Sequence, residues 1–268
     1  MKDLRVAMVV CNARLGETQQ NLDKTVTYIK KASHAEADIV CFPELNITGY
    51  SNHEDLLDVA EPIPGPVSQT LSQLATSMGI LVLAGLAEKG DDGHVYATHM
   101  IAMPGGELGT YRKSHLAPPE KKIYSPGNAI PVFTFKKSRF GIQLCYDTHF
   151  PELSTKMAIK GAELLFMPHA SPRGLAIEKH RSWMRHLTAR AFDNSVFVLA
   201  CNQTGYNGKG LTFPGNAMVL DPAGNIIGQS LSSRETMLIA DLRAETFENI
   251  RNNRMHFFLP NRRRDLFD

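Results

Sequence analysis

Apolar and polar positions along the chain follow two alternating periods. Short apolar runs of strand length recur at 6–11, 38–42, 80–86, 98–103, 140–145, 164–167, 196–200, 216–220 and 237–241. Between them, 18–35, 65–78, 151–160 and 178–194 read as helices. In the first, Leu22, Val26, Ile29 and Ala32 recur at helical spacing. In the second, Pro66 stands where a first helical turn favours proline. In the last, Trp183, Leu187 and Ala191 stand four residues apart and predict a core-facing stripe, with Arg181, Arg185 and His186 on the wetter side. Buried runs alternating with helices predict an α/β fold.

The pattern also repeats. Val6-Ala-Met-Val-Val-Cys11 matches Phe140-Gly-Ile-Gln-Leu-Cys145, and 37–44 matches 162–169, ending in Phe-Pro-Glu44 and Met-Pro-His169. Ile80-Leu-Val-Leu-Ala84 matches Val196-Phe-Val-Leu-Ala200. Pro-Gly-Gly at 104–106 and Pro-Ala-Gly at 222–224 are turn sequences between paired strands. Each half therefore reads β-α-β-α-β-β. Two such halves predict a four-layer α-β-β-α sandwich with an internal pseudo-two-fold duplication. The expectation is one domain over 1–268, with a C-terminal arm from about 245. Equivalent strand ends in such a sandwich lie near one another, so Glu44 and Cys145 are expected to share a site.

Composition narrows the function classes. A formal charge of +2 over 268 residues gives no bulk field for nucleic acid. Apolar runs are far too short to span a bilayer, and the chain enters a strand pattern at once, so no membrane span and no signal peptide are expected. The four cysteines form no Cys-x-x-Cys pair, and each lies in or at the end of an apolar run. That pattern predicts reduced, mostly inert thiols and a cytoplasmic protein. Ten histidines raise the possibility of a metallohydrolase, but no His-x-His or His-Glu-x-x-His pair is present, so no metal site is expected.

Cys145 differs from the other thiols in the residues after it. Tyr-Asp-Thr-His-Phe-Pro-Glu152 makes a polar turn and a helix start, where a thiolate is favoured. Taken alone, Glu44 reads as a solvated glutamate at a loop start. Lys113, in Tyr-Arg-Lys-Ser-His, reads as part of a basic edge strand. Together, Phe-Pro-Glu44, Arg-Lys113 and Leu-Cys145 occur in an order that resembles the nitrilase (carbon–nitrogen hydrolase) superfamily. The resemblance extends to Ser125-Pro-Gly-Asn128, Ala189-Arg-Ala-Phe-Asp-Asn194 and Ala200-Cys-Asn-Gln-Thr-Gly205.

The resemblance implies that Cys145 is a nucleophile, Glu44 its general base, and Lys113 with the Tyr146 backbone N–H an oxyanion stabiliser. Glu120 matches the second glutamate, which positions the lysine. Tyr50, His115 and Asn202 are pocket candidates by family position. His149 stands where many relatives carry arginine, and Arg173 is a substitute anion contact that equally well pairs with a structural acid. The implied reaction is hydrolysis of a small linear amide or N-carbamoyl compound, with no cofactor. Nitrile hydrolysis and a catalytically silent binding protein on the same scaffold are the alternatives. An N-acyltransferase relative is excluded by the missing membrane spans. The tail, with Phe257, Phe258, Leu259 and Phe267, resembles family tails that bury against a second subunit, which implies a homodimer or larger homo-oligomer.

Overall fold

The computed structural model describes residues 1–267; Asp268 and the side chains of Arg264 and Phe267 lie outside the described residues. The expected apolar contribution of Phe267 therefore falls outside them too. The first half comprises β1 (Leu4–Val10), α1 (Thr18–His34), β2 (Ile39–Cys41), α2 (Pro66–Met78), β3 (Leu81–Lys89), β4 (Val95–Ala102) and β5 (Leu108–Arg112). The second begins with β6 (Phe133–Phe135) and β7 (Ser138–Ile142), then α3 (Pro151–Ile159), β8 (Leu164–His169), α4 (Ala176–Asn194) and β9 (Phe197–Asn202). A small hairpin of β10 (Thr204–Tyr206) and β11 (Thr212–Pro214) comes next. The chain then forms β12 (Ala217–Leu220), β13 (Ile226–Ser230), β14 (Thr236–Leu242) and α5 (Ala244–Asn252).

The two six-stranded sheets have the orders β14-β1-β2-β3-β4-β5 and β13-β12-β9-β8-β7-β6. Read from its other edge, the second order repeats the first, with β6 in the place of β14. β14 pairs antiparallel with β1, and β6 pairs antiparallel with β7. The central strands of both sheets are parallel, so each connection between them is a helix. The duplication read from the sequence is thus the topology of the molecule.

The continuous apolar runs are explained by burial on both faces of each strand. Val6, Met8 and Val10 face the central core with Phe166 and Val198 of the other sheet. Ala7 and Val9 point the opposite way and pack with Leu22 and Ile29 of α1 and Leu71 and Ala75 of α2. On α4, Trp183, Leu187 and Ala191 are buried as their spacing predicts. Burial of each such large side chain contributes about 1.5–3 kcal/mol.

Two expectations change. The run at 140–145 is not a strand to its end: β7 stops at Ile142, and Gln143 N–H makes the last rung, to Phe166 O. Leu144 N–H is taken by the Asp147 side chain, and Cys145 has φ +44, outside strand geometry. His186 is not on a wet face either; it is half-buried and its ring lies 4.5 Å from that of His149. In the C-terminal arm, α5 buries Phe247, and the Phe258 ring packs 5.4 Å from Phe192. Among the described residues, no helix is long and apolar enough to cross a membrane.

Candidate active site

Glu44, Lys113 and Glu120 come from three segments and meet in the interior. Glu44 lies after β2 in a loop pinned from the second half: Gln203 Nε2 donates to its carbonyl at 2.8 Å, and Ala170 N–H donates to Oε2 at 2.9 Å. Lys113 lies directly after β5 and stays in register, donating its N–H to Ala97 O at 2.9 Å. Its carbonyl accepts from Gly127 N–H at 2.8 Å. A Cβ at Gly127 would fall 2.3 Å from Arg112 O, so only glycine permits this approach. That contact is a physical reason for the Ser-Pro-Gly-Asn motif. Glu120 sits in a short 3₁₀ turn, Pro118–Lys122, with Ala117 N–H donating to its Oε2 at 2.8 Å.

Lys113 Nζ donates to Glu44 Oε1 and to Glu120 Oε1, both at 2.8 Å. Tyr50 OH donates to the same Glu120 oxygen at 3.1 Å. All three charged side chains are at most 3 % exposed, which removes the solvated-loop reading of Glu44 and the surface-edge reading of Lys113. Burial pushes the Glu44 carboxyl up to about 7; Lys113 opposes the shift and the second carboxylate of Glu120 adds to it. Burial works against the Lys113 charge, but its two carboxylates outweigh it and hold the ammonium well above the usual lysine range. The Tyr50 hydroxyl is raised, chiefly by burial and then by Glu120, and stays a donor.

Cys145 opens a 3₁₀ turn, Cys145–His149, directly before α3. Its left-handed backbone costs a non-glycine residue about 1–3 kcal/mol, which the surrounding contacts must hold. Thr148 Oγ1 donates to Cys145 O at 2.7 Å, and Arg190 Nε donates to Thr148 O at 3.2 Å. The helix start alone would favour thiolate. Instead, burial pushes the thiol up to about 12, Glu44 pushes the same way, and Lys113 only partly offsets them. The resting group is therefore a neutral thiol near the Glu44 carboxyl.

Cys145 opens on a cavity of about 360 Å³ whose walls include Tyr50, Glu120, Tyr146, His149 and Arg173. Burial, then Arg190 and Lys179, lowers the His149 pKa below the usual imidazole range. Two sequence candidates lie elsewhere. His115 borders an adjoining cavity of about 520 Å³, stacked 3.9 Å from Phe150. Asn202 is fully buried and bonds the Ser171 backbone in both directions, at 2.9 and 3.1 Å. Sequence reasoning missed Asp147, Ala170, Lys179 and Ser171. Lys179 Nζ donates to Ser171 Oγ at 2.6 Å beside the cavity. No sequence motif marks Lys179, whereas Asp147 lies in the polar turn that sets Cys145 apart. Among the described residues, no group of three or more metal-ligating side chains is arranged to hold an ion.

Comparison with known proteins gives the family. The carbon-nitrogen hydrolase family model matches residues 5–252. A protein named nitrilase from Pyrococcus abyssi is 30 % identical, covering 98 % of this chain and 99 % of its own. An (R)-stereoselective amidase from Pseudomonas sp. is 32 % identical, covering 84 % of this chain and 80 % of its own. A mutant of the amidase from Nesterenkonia sp. AN1, solved in complex with butyramide, superposes with a TM-score of 0.84 at 27 % identity, over 98 % of this chain and 95 % of that one. With that match over nearly its whole length, the chain belongs to the carbon–nitrogen hydrolase family of the nitrilase superfamily and is an amidohydrolase acting on non-peptide C–N bonds.

Proposed function

We propose that the protein hydrolyses a small linear amide or N-carbamoyl compound through a thioester on Cys145. The observation that carries this reading is the buried Glu44–Lys113–Glu120 triad, with both carboxylates 2.8 Å from one ammonium and Glu120 lining the cavity that Cys145 enters. In the first step Cys145 Sγ bonds to the amide carbon while Glu44 takes the thiol proton. The carbonyl oxygen gains charge and is stabilised by Lys113 Nζ and the Tyr146 N–H. Protonated Glu44 returns its proton to the leaving nitrogen, the C–N bond breaks, and ammonia or an amine departs. Water then gives a proton to Glu44 and attacks the thioester, releasing the acid and restoring the thiol. Glu120 and Tyr50 hold Lys113 in place throughout.

A cavity of about 360 Å³ suits a small substrate. Amides are favoured over nitriles by the amidase relative and by the butyramide bound to the structural neighbour. The test is ammonia release across ω-amides, N-carbamoyl amino acids, carbamoyl amines and nitriles, with intact mass to detect an acyl adduct. Turnover of nitriles alone, with every amide and carbamoyl compound inert, overturns the reading.

The Glu44 base sets the pH profile. Its carboxyl is raised to about 7, and only the ionised form accepts a proton. kcat/KM is therefore expected to fall as pH drops through neutrality, tenfold per pH unit once Glu44 is protonated. A profile flat from pH 5 to 8 contradicts the assignment.

Arg173 supports an acidic substrate. Its side chain borders the cavity and has no carboxylate partner among the described residues. A charged hydrogen bond is worth about 1.5–3 kcal/mol. Arg173→Ala is expected to lower kcat/KM by about tenfold or more for the best acidic amide and to leave neutral amides unaffected. Equal loss on both refutes the contact. Homo-oligomeric assembly through the C-terminal arm is proposed alongside, supported by the exposure of Met255 and Leu266 there.

A further inference from the structure

We propose that Asp147 is a positioning residue that ties the nucleophile turn to the lysine segment and so sets where Cys145 stands relative to Lys113. The inference rests on the reading of Cys145 as nucleophile and Lys113 as oxyanion stabiliser. Asp147 is fully buried, two residues after Cys145. Its Oδ2 accepts from Leu144 N–H at 2.9 Å, on the residue preceding Cys145. The same oxygen accepts from Tyr111 OH at 2.7 Å, two residues before Lys113. Its Oδ1 accepts from His115 N–H at 2.8 Å and from His115 Nδ1 at 2.9 Å, two residues after Lys113. A carboxylate only accepts, so His115 carries its proton on Nδ1 here.

One buried carboxylate thus grips the chain just before the nucleophile and on both sides of the lysine. The two segments are 32 residues apart in sequence and belong to opposite sheets. The connection holds the Cys145 backbone in its left-handed conformation, because Leu144 N–H is drawn out of the strand ladder towards Asp147. It also gives His115 a role other than pocket lining. Its ring braces Asp147 from outside and is itself stacked on Phe150, at the far end of the same turn.

The physical consequence is on the transition state. Substrate binding depends mainly on the cavity walls, whereas attack depends on the relation between Sγ, the carbonyl carbon and Nζ. A misplacement of about 1 Å there costs about 10²-fold in rate. Asp147→Asn keeps one acceptor oxygen but replaces the other by an NH₂ group, which meets donors on whichever side it faces. We expect kcat to fall about 10²-fold with KM changed less than about threefold, and Cys145 alkylation by iodoacetamide to change in rate. Tyr111→Phe removes the bond to Asp147 and a contact with Ser114 Oγ, and no buried charge. It is expected to fold with a cooperative transition and to lower kcat about tenfold, again with KM little changed.

Both variants are assayed beside Cys145→Ala. If Cys145→Ala retains activity, the nucleophile reading fails. If it is inactive while Asp147→Asn and Tyr111→Phe both keep kcat within about threefold of wild type, the positioning role alone is overturned. If Asp147→Asn does not fold, Tyr111→Phe decides. A loss confined to KM in a folded variant also overturns the proposal, since it assigns the residue to substrate binding.

Discussion

Cys145→Ala is expected to abolish ammonia release, by about 10⁴-fold or more, and to leave no acyl adduct by intact mass. The size comes from the mechanism. Without a thiol there is no covalent intermediate, and Glu44 has no proton to remove in the first step. What survives is the contribution of binding and oxyanion stabilisation alone, with no thiol to attack the carbon they activate. The other thiols provide the control. Cys41 and Cys201 are fully buried in the core, and Cys11 is 2 % exposed with its thiol raised by burial. Cys41→Ala is expected to retain turnover, with only the modest stability loss of a small core truncation. Activity surviving in Cys145→Ala would remove the nucleophile from this thiol altogether.

Lys113→Met is expected to damage both activity and stability. Lys113 is the single cation between Glu44 and Glu120, and all three are withdrawn from water. Methionine fills similar volume but leaves two buried carboxylates side by side. Breaking a buried ion pair by removing one partner typically costs about 3–5 kcal/mol. Part of that cost is relieved by protonation: with Lys113 gone, burial and the Glu120 charge raise the Glu44 pKa further, opposed by the Ala170 N–H bond. A protonated Glu44 cannot act as base at neutral pH, and the oxyanion loses its charged donor. Loss of one oxyanion donor alone costs about 10²–10³ in kcat. A lower Tm together with a kcat loss beyond that range is the expected result. Adding Glu120→Gln should then restore stability, whereas Glu120→Gln in the wild-type background should reduce it. Additive effects on stability would show that the three groups do not act as one unit.

The sequence by itself determined the layered architecture. Period-two strands buried on both faces leave continuous apolar runs, helices between parallel strands leave a 3.6-residue period, and both signals are local. The doubled order of these signals was enough to expect the repeated sheet topology. Chemistry-bearing residues were legible where they sit in motifs: Glu44 after Phe-Pro, Lys113 after Tyr-Arg, Cys145 before a polar turn. The strand limits near the site were not legible, because Cys145 ends an apolar run that reads as strand throughout. The Asp147 side chain takes Leu144 N–H three residues back, and Asp147 is itself held by Tyr111 and His115 from a remote segment, which the local pattern does not show. The tertiary structure alone also decided ionisation. A helix start suggested a thiolate, but burial and the neighbouring Glu44 act over distance and raise the thiol instead. The same holds for partnership. Which of Asn202, His115, Arg173 and Lys179 meets the cavity depends on where remote segments cross, and hydrogen bonds between residues dozens of positions apart leave no period in the chain.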